Sequence, residues 1–365
     1  MLGILGATGT VGYQAMKVLQ QLDIRKMKCG VHNIQKVTKE IREEFPEAIW
    51  QEIDIASKQA LEEFVKDTKV LLNCVGPSFF TSKQVAEVIL ERGGRLIDVG
   101  FCNDFLKKQP QGEETIVYAA GSMPGLSRLL CKKLFKEFDE VKNVTFVYGA
   151  LDKMGYGGAW DYLEGITKEN ESATPAYVKG QRVPGKAKRR SQWKLPFYPR
   201  EVTLSPYADG ETDKIIADAG NADGVFYVSI DGKYLLQEMN RIKELYREKP
   251  REAVDNLIRA CQLEMCDKQS YLKFLIEGKG TKNGKAETKT LYMSGNSSTN
   301  LTAAAVAVTA AAVYRKEVPC GIYTLGDLMQ EEKILDAVKK GCPGTILEIY
   351  DGAMETLCSV VEGEI

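Results

Sequence analysis

Seven residues carry the clearest chemical signal: Gly6-Ala7-Thr8-Gly9-Thr10-Val11-Gly12. They follow a short apolar run, residues 1–5, and open a stretch with Val11, Ala15, Val18, Leu19 and Leu22 at helical spacing. Strand, glycine turn and helix in that order are the context of a dinucleotide site. Glycines let the backbone pass close to a pyrophosphate, and the N–H groups of the helix start point at it. The spacing is G-x-x-G-x-x-G rather than G-x-G-x-x-G, so context carries much of the argument.

Cofactor choice is read at the end of the second strand, about 20 residues on, where an NAD site places Asp or Glu on the ribose 2′-OH. Here the stretch is Cys29-Gly30-Val31-His32-Asn33-Ile34-Gln35-Lys36 and holds no acid. His32 and Lys36 are candidates to face a 2′-phosphate, which favours NADP(H) over NAD(H); the alternative for His32 is a solvated loop. Asp54 and Ile55, after the third strand, suit the adenine amino group and ring, or Asp54 caps the next helix. Val75, Gly76 and Pro77 end the fourth strand and Gly100 follows the fifth, at the rim where open parallel sheets bind ligands. Cys102 and Asp104 stand at the same rim as candidates to face nicotinamide and substrate, with a plain loop or cap role equally open. From the middle of the chain, Tyr156 in the glycine loop at 155–158 and Asp161 in the helix after it are further proton-handling candidates. The basic stretch 186–200, with Arg189, Arg190 and Arg200, suits a substrate carboxylate, since Arg binds carboxylates bidentately. A solvated charged loop is its commoner explanation.

Composition narrows the chemistry. His32 is the only histidine in 365 residues, so histidine-based triads would have to be built on it and His-rich metal sites are excluded. No metal site is expected. Nine cysteines without a C-x-x-C pair read as reduced thiols. Lys and Arg total 49 against 50 Asp and Glu, a balance that argues against a general nucleic-acid or membrane-surface binder. The longest apolar run, 301–313, is too short to span a bilayer and reads as a buried helix. No secretory leader is visible, and a cytoplasmic location is expected. The Tyr-x-x-x-Lys pair of short-chain dehydrogenases occurs only as Tyr13 and Lys17, on the glycine-turn helix itself, so that mechanism is rejected.

The elements needed to position these residues follow from periodicity. Over residues 1–138, short apolar strands (1–5, 27–31, 49–53, 70–74, 96–99, 116–119) alternate with helical stretches (11–22, 37–45, 57–65, 83–92, 126–138), indicating a doubly wound parallel sheet. Ser57 is a candidate helix cap. Then strands at 144–148 and 225–230, helices at 159–168 and 251–264, and a hairpin turning at Asn283-Gly284 indicate α+β structure. Residues 174–206 hold five of the twelve prolines and read as a long loop. Helices at 299–314 and 325–340 close the pattern. The fold class expected is α/β, a Rossmann-like doubly wound sheet plus a central α+β domain, with C-terminal helices packing back on the first domain. The expected boundaries are 1–124, 125–294 and 295–365.

Several blocks resemble the saccharopine dehydrogenase-like (saccharopine reductase-type) oxidoreductases in order: the glycine turn, Asn73-Cys74-Val75-Gly76-Pro77, Asp98-Val99-Gly100, Ala120-Gly121-Ser122-Met123-Pro124-Gly125-Leu126-Ser127, the Ala-rich stretch 295–312, and Val318-Pro319-Cys320-Gly321-Ile322-Tyr323. The likeness covers residues 1–135 and 290–330 and is weak from 150 to 285. It implies NAD(P)-linked redox chemistry at a carbon–nitrogen bond, on a small amino-acid-derived amine or imine bearing a carboxylate, with a central domain forming the other wall of the cleft. Family members using NADP often have Arg where this chain has His32. Because the family is functionally mixed, an enoyl reductase or a non-enzymatic dinucleotide sensor stand as alternatives. A homodimer is an open expectation.

Overall fold

In the computed structural model, which describes residues 1–100, 112–168 and 174–360, the first apolar runs become strands separated by helices. In chain order these are β1 (Leu2–Leu5), α1 (Thr10–Gln21), β2 (Met27–Val31), α2 (Lys39–Glu44), β3 (Ile49–Glu52), α3 (Lys58–Val65), β4 (Val70–Asn73), α4 (Ser78–Glu91), β5 (Arg95–Asp98) and β6 (Thr115–Tyr118). The central strands are covered on both faces, so consecutive residues such as Leu71-Leu72 and Ile116-Val117 are all buried. That is why they read as unbroken apolar runs. Thr38 and Ser57 cap α2 and α3, their hydroxyls accepting from the N–H groups of Ile41 and Ala60.

The chain continues through α5 (Leu126–Phe135), β7 (Glu140–Leu151), α6 (Tyr156–Lys168), β8 (Ala176–Val178), β9 (Gln181–Val183), β10 (Arg190–Trp193) and β11 (Val202–Tyr207). Next come α7 (Gly210–Asp218), β12 (Asp223–Ile230), α8 (Lys233–Met239), α9 (Ile242–Glu248), α10 (Pro250–Glu264), β13 (Tyr271–Lys282) and β14 (Lys285–Gly295). The chain ends in α11 (Ser298–Tyr314), β15 (Gly321–Thr324), α12 (Glu331–Gly341), β16 (Ile346–Asp351) and α13 (Met354–Val360).

Two sheets result. The first has seven strands in the order β15-β6-β5-β4-β1-β2-β3, all parallel. The chain winds outward from β1 to β3, then returns to β4 on the other side of β1. The carboxyl ends of β1 and β4 therefore form the topological switch point of a doubly wound sheet. The second sheet is mixed, with the path β10-β11-β12-β7-β13-β14-β16, and β7 and β12 run parallel within it. The α/β architecture expected from the sequence is the architecture found.

The residues divide into two compact units: Met1–Leu126 with Thr299–Pro343, and Ser127–Ser298 with the chain from Gly344 on. The last division falls inside the segment 295–365 that the sequence grouped as returning helices. Its strand β16 pairs with β14 of the second sheet. In the first unit α11 is buried on most of its circumference, from Leu301 to Val313. No described helix is long and apolar enough to cross a membrane.

Other departures have local causes. Residues 174–206 are not one long loop but hold β8 to β11. Of these, β9 and β10 have no buried residue, so they offer no alternating apolar signal. The helix expected from 83 begins at Ser78, directly after Pro77. The helix expected from 159 begins at Tyr156, its first turn closed by the Ala159 N–H on the Gly155 carbonyl at 2.9 Å. The stretch 325–340 opens as a single 3-10 turn at Leu325–Asp327, and α12 starts only at Glu331. Helices α7, α8 and α9 and strands β15 and β16 were not read from the sequence.

Candidate functional site

The glycine turn sits at the switch point, and its three glycines meet different demands. Gly6 has φ of +74°, the left-handed region, and a Cβ there would stand 3.0 Å from the Cys74 carbonyl oxygen at the end of β4. A Cβ on Gly12 would collide with the Gly6 carbonyl oxygen, so its absence lets α1 sit directly on the turn. Gly9 is extended, with φ of −73° and ψ of 164°, and occupies the N-cap position of α1. Its own N–H donates to the Gly6 carbonyl at 2.9 Å, but it brings no side chain to cap the helix. The first-turn N–H groups of a twelve-residue helix are thus served by no cap, and Gly9 and Thr10 are exposed at the rim. Thr8 and Val11 are half-buried beside them. A helix start without a capping side chain, reached over glycines, fits a dinucleotide pyrophosphate.

Tyr13 and Lys17, one turn further along α1, are occupied elsewhere. The Tyr13 hydroxyl donates to the Glu44 carboxylate of α2, and Lys17 Nζ lies 3.1 Å from the same carboxylate. Hydrogen bonding to Glu44 raises the pKa of both groups. The pair ties α1 to α2, in keeping with the rejection of a short-chain dehydrogenase mechanism.

At the end of β2, His32 and Lys36 are both exposed. Asn33 accepts from the Gln35 N–H at 2.8 Å and starts a short 3-10 turn. An acid does reach this corner, from the neighbouring strand: Glu52, paired in register with Val31, accepts the Ile34 N–H at 2.8 Å. A count along the chain after the glycine turn does not find it, because the β2–β3 register brings it there. Asp54 is exposed and accepts the Ala56 N–H at 3.0 Å, closing the turn ahead of α3. The helix cap itself is Ser57. Ile55 packs on the core of the first sheet.

The rim of β4 and β5 holds a buried polar network whose roles the sequence reading missed. Asn73 and Asp98 end adjacent strands in direct register. Asn73 Nδ2 donates to Asp98 Oδ2 at 2.8 Å, Ser82 Oγ donates to Asp98 Oδ1 at 2.9 Å, and the Gly100 N–H donates to Asp98 Oδ1 at 2.7 Å. Asn73 Oδ1 accepts the Val75 N–H at 3.2 Å. One carboxylate therefore links β4, β5 and α4. Gly100 has no room for a Cβ, which would collide with Ser78. Val75 lines the turn, its Cγ2 3.2 Å from where a Gly6 Cβ would be, and Pro77 takes the N-cap position of α4. Burial, helped by Asp98, raises the Cys74 thiol pKa, so Cys74 is a thiol and not a nucleophilic thiolate. Cys102 and Asp104 lie outside the described residues. Below the rim, Thr302 of α11 accepts the Ser122 N–H at 3.2 Å and donates to Ser122 Oγ at 3.0 Å, which fastens the Pro124-Gly125 turn to the closing helix.

In the second unit the remaining candidates separate. Tyr156 is half-exposed at the start of α6, edge-on to Trp160, and Asp161 lies five residues on, a spacing that does not share a helix face. The three arginines go to different partners: Arg189 to Asn240 Oδ1 at 2.9 Å, Arg190 over the Trp193 ring at 4.4 Å, and Arg200 to the buried Asp231 at 3.3 Å. They do not form one clamp. Of the three, Arg200 lines a cavity, of about 540 Å³, together with Tyr198, Tyr271 and Lys273.

The comparisons with known proteins agree with this geometry. Residues 2–123 match the family described as the saccharopine dehydrogenase NADP binding domain. No curated protein matches the chain in sequence. Among solved structures, saccharopine dehydrogenase (L-Glu forming) from Saccharomyces cerevisiae is similar with a TM-score of 0.70 at 13% identity, over 96% of this chain and 99% of that one. A short-chain dehydrogenase/reductase from Veillonella parvula in complex with NADP is similar over 26% of this chain and 45% of its own, at 16% identity and a TM-score of 0.24. Residues 2–123 thus match a saccharopine dehydrogenase NADP binding domain, and the chain as a whole has the fold of saccharopine dehydrogenase.

Proposed function

We infer that the protein is an NADP(H)-dependent oxidoreductase acting on the C–N bond of a small, carboxylate-bearing amine or imine. The observation that carries this reading is the match of residues 2–123 to an NADP-binding domain whose glycine turn stands at the switch point of the first sheet. The likeness to a saccharopine dehydrogenase over nearly the whole chain supports the choice of bond.

The uncapped start of α1, over Gly6, Thr8, Gly9, Thr10, Val11 and Gly12, holds the pyrophosphate. His32 and Lys36 lie exposed at the end of β2 to meet a 2′-phosphate, while Asp54 and Ile55 border the adenine end. Val75, Gly76, Pro77 and Gly100 form the rim toward nicotinamide, kept in shape by the Asn73–Asp98–Ser82 network. When bound, NADP(H) supplies or takes up the hydride. Proton handling at nitrogen falls to Asp104 or Cys102, with Tyr156 and Asp161 as second candidates. An iminium carbon needs little acid assistance, which suits a chain with a single histidine. Residues 125–294 are the proposed substrate domain, and a homodimer is the proposed assembly.

The test is a spectrophotometric panel of primary amines paired with 2-oxo acids, following NADPH oxidation. Turnover of at least one pair is expected. Turnover confined to enoyl thioesters would move the protein to C=C reduction, and tight NADPH binding without turnover of any class would make it a sensor.

A further inference from the structure

The second unit contains a buried cation that the redox reading does not use. Lys273 stands in the middle of β13 and is only 9% exposed. Its Nζ donates to the Phe197 carbonyl and, at 3.2 Å, to the Tyr292 hydroxyl. It also lies 5.4 to 5.6 Å from the ring centroids of Tyr198, Tyr271 and Tyr292. Among the described residues no carboxylate pairs with it, and burial lowers its pKa. Two other cations of the same cavity, Arg200 and Lys268, are already balanced by carboxylates. Arg200 lies 3.3 Å from the buried Asp231, which also accepts from the Tyr271 hydroxyl at 2.8 Å. Lys268 bonds Glu264 at 2.6 Å and lies 3.9 Å from Asp231.

An ammonium has three N–H donors, and two are used here. A buried charge without a counter-charge is costly, and a desolvated ion pair is strengthened by the low local dielectric. The cavity beside Lys273, about 540 Å³, is large enough for a small molecule and is walled by Leu195, Pro196, Phe197 and Tyr198. Phe197 is held for that role by stacking on Tyr292 at 4.2 Å and Tyr350 at 5.3 Å. We propose that this cavity is a binding site for a small organic carboxylate. One carboxylate oxygen accepts from Lys273 Nζ, and the apolar body lies against Phe197 and Tyr198. The site lies wholly within the second unit and does not depend on cofactor binding.

Calorimetric titration of the full chain with benzoate, its neutral isostere benzamide, and inorganic phosphate tests it in the absence of NADP(H). Benzoate is expected to bind at least tenfold more tightly than benzamide or phosphate, and Lys273→Met is expected to remove that preference. Should Lys273→Met not fold, benzoate protection of Lys273 in the wild-type chain from amine acylation, read by peptide mass spectrometry, locates the same site. Equal affinities for benzoate and benzamide, phosphate binding as tight as benzoate, an unchanged preference in a folded Lys273→Met variant, or unprotected Lys273 at saturating benzoate would each overturn the proposal.

Discussion

Gly9 and Gly12 belong to one turn but fail differently when substituted. Gly12 lies under the Gly6 carbonyl, so Gly12→Val overpacks the joint between β1 and α1, a class of change that costs about 1–3 kcal/mol or more. Gly9 is extended and exposed, and its added Cβ would meet only the Gly6 carbonyl at 3.1 Å. Gly9→Val is therefore expected to lower the thermal midpoint less than Gly12→Val while abolishing NADPH binding. Unaltered NADPH affinity in a folded Gly9→Val variant would remove the pyrophosphate assignment. The 2′-phosphate end has its own residue-scale test. His32 and Lys36 are exposed cations or potential cations, and a charge-assisted contact contributes about 1.5–3 kcal/mol, less when solvated. The double variant His32→Asn, Lys36→Met should narrow the NADPH-over-NADH affinity ratio by roughly tenfold. A ratio that stays fixed would place the 2′-phosphate elsewhere.

At the scale of elements, the Asp98 carboxylate joins β4, β5 and α4 through three donors. Asp98→Ala would leave Asn73 Nδ2, Ser82 Oγ and the Gly100 N–H without their acceptor, at about 1–3 kcal/mol for each buried group left unpaired. A loss of at least about 3 kcal/mol in denaturant unfolding of the first unit is expected; a loss under 1 kcal/mol would show that water replaces the carboxylate. This network also shows what a single sequence conceals. Asn73 and Asp98 are 25 residues apart, and only the register of two parallel strands makes them partners. Glu52 escaped notice at the β2 corner for the same reason. What was legible was local. Strands β1 to β6 of the first sheet, the Ser57 cap and the Asn283-Gly284 turn between β13 and β14 depend on neighbours in the chain, and the sequence reading placed each of them. Strands β9 and β10 have no buried residue, and β16 is an edge strand, so periodicity had nothing to register. Lys273 was missed because a lysine in a strand is ordinarily solvent-facing, and only the packing of residues 194–200 over β13 encloses it.

At the scale of the whole molecule, the two units differ in architecture. The first holds the parallel sheet and the glycine turn, within the residues that match an NADP-binding domain. The second is built around a mixed sheet and concentrates tyrosines and cations about Lys273. The most direct measurement of the central claim is the fate of the label when [4-2H]NADPH, deuterated at the transferred position, is incubated with the protein, a primary amine and a 2-oxo acid. The account predicts a coupled secondary amine carrying one deuterium on the carbon bonded to nitrogen. A coupled product without deuterium, or label appearing only in a reduced enoyl thioester, would contradict it.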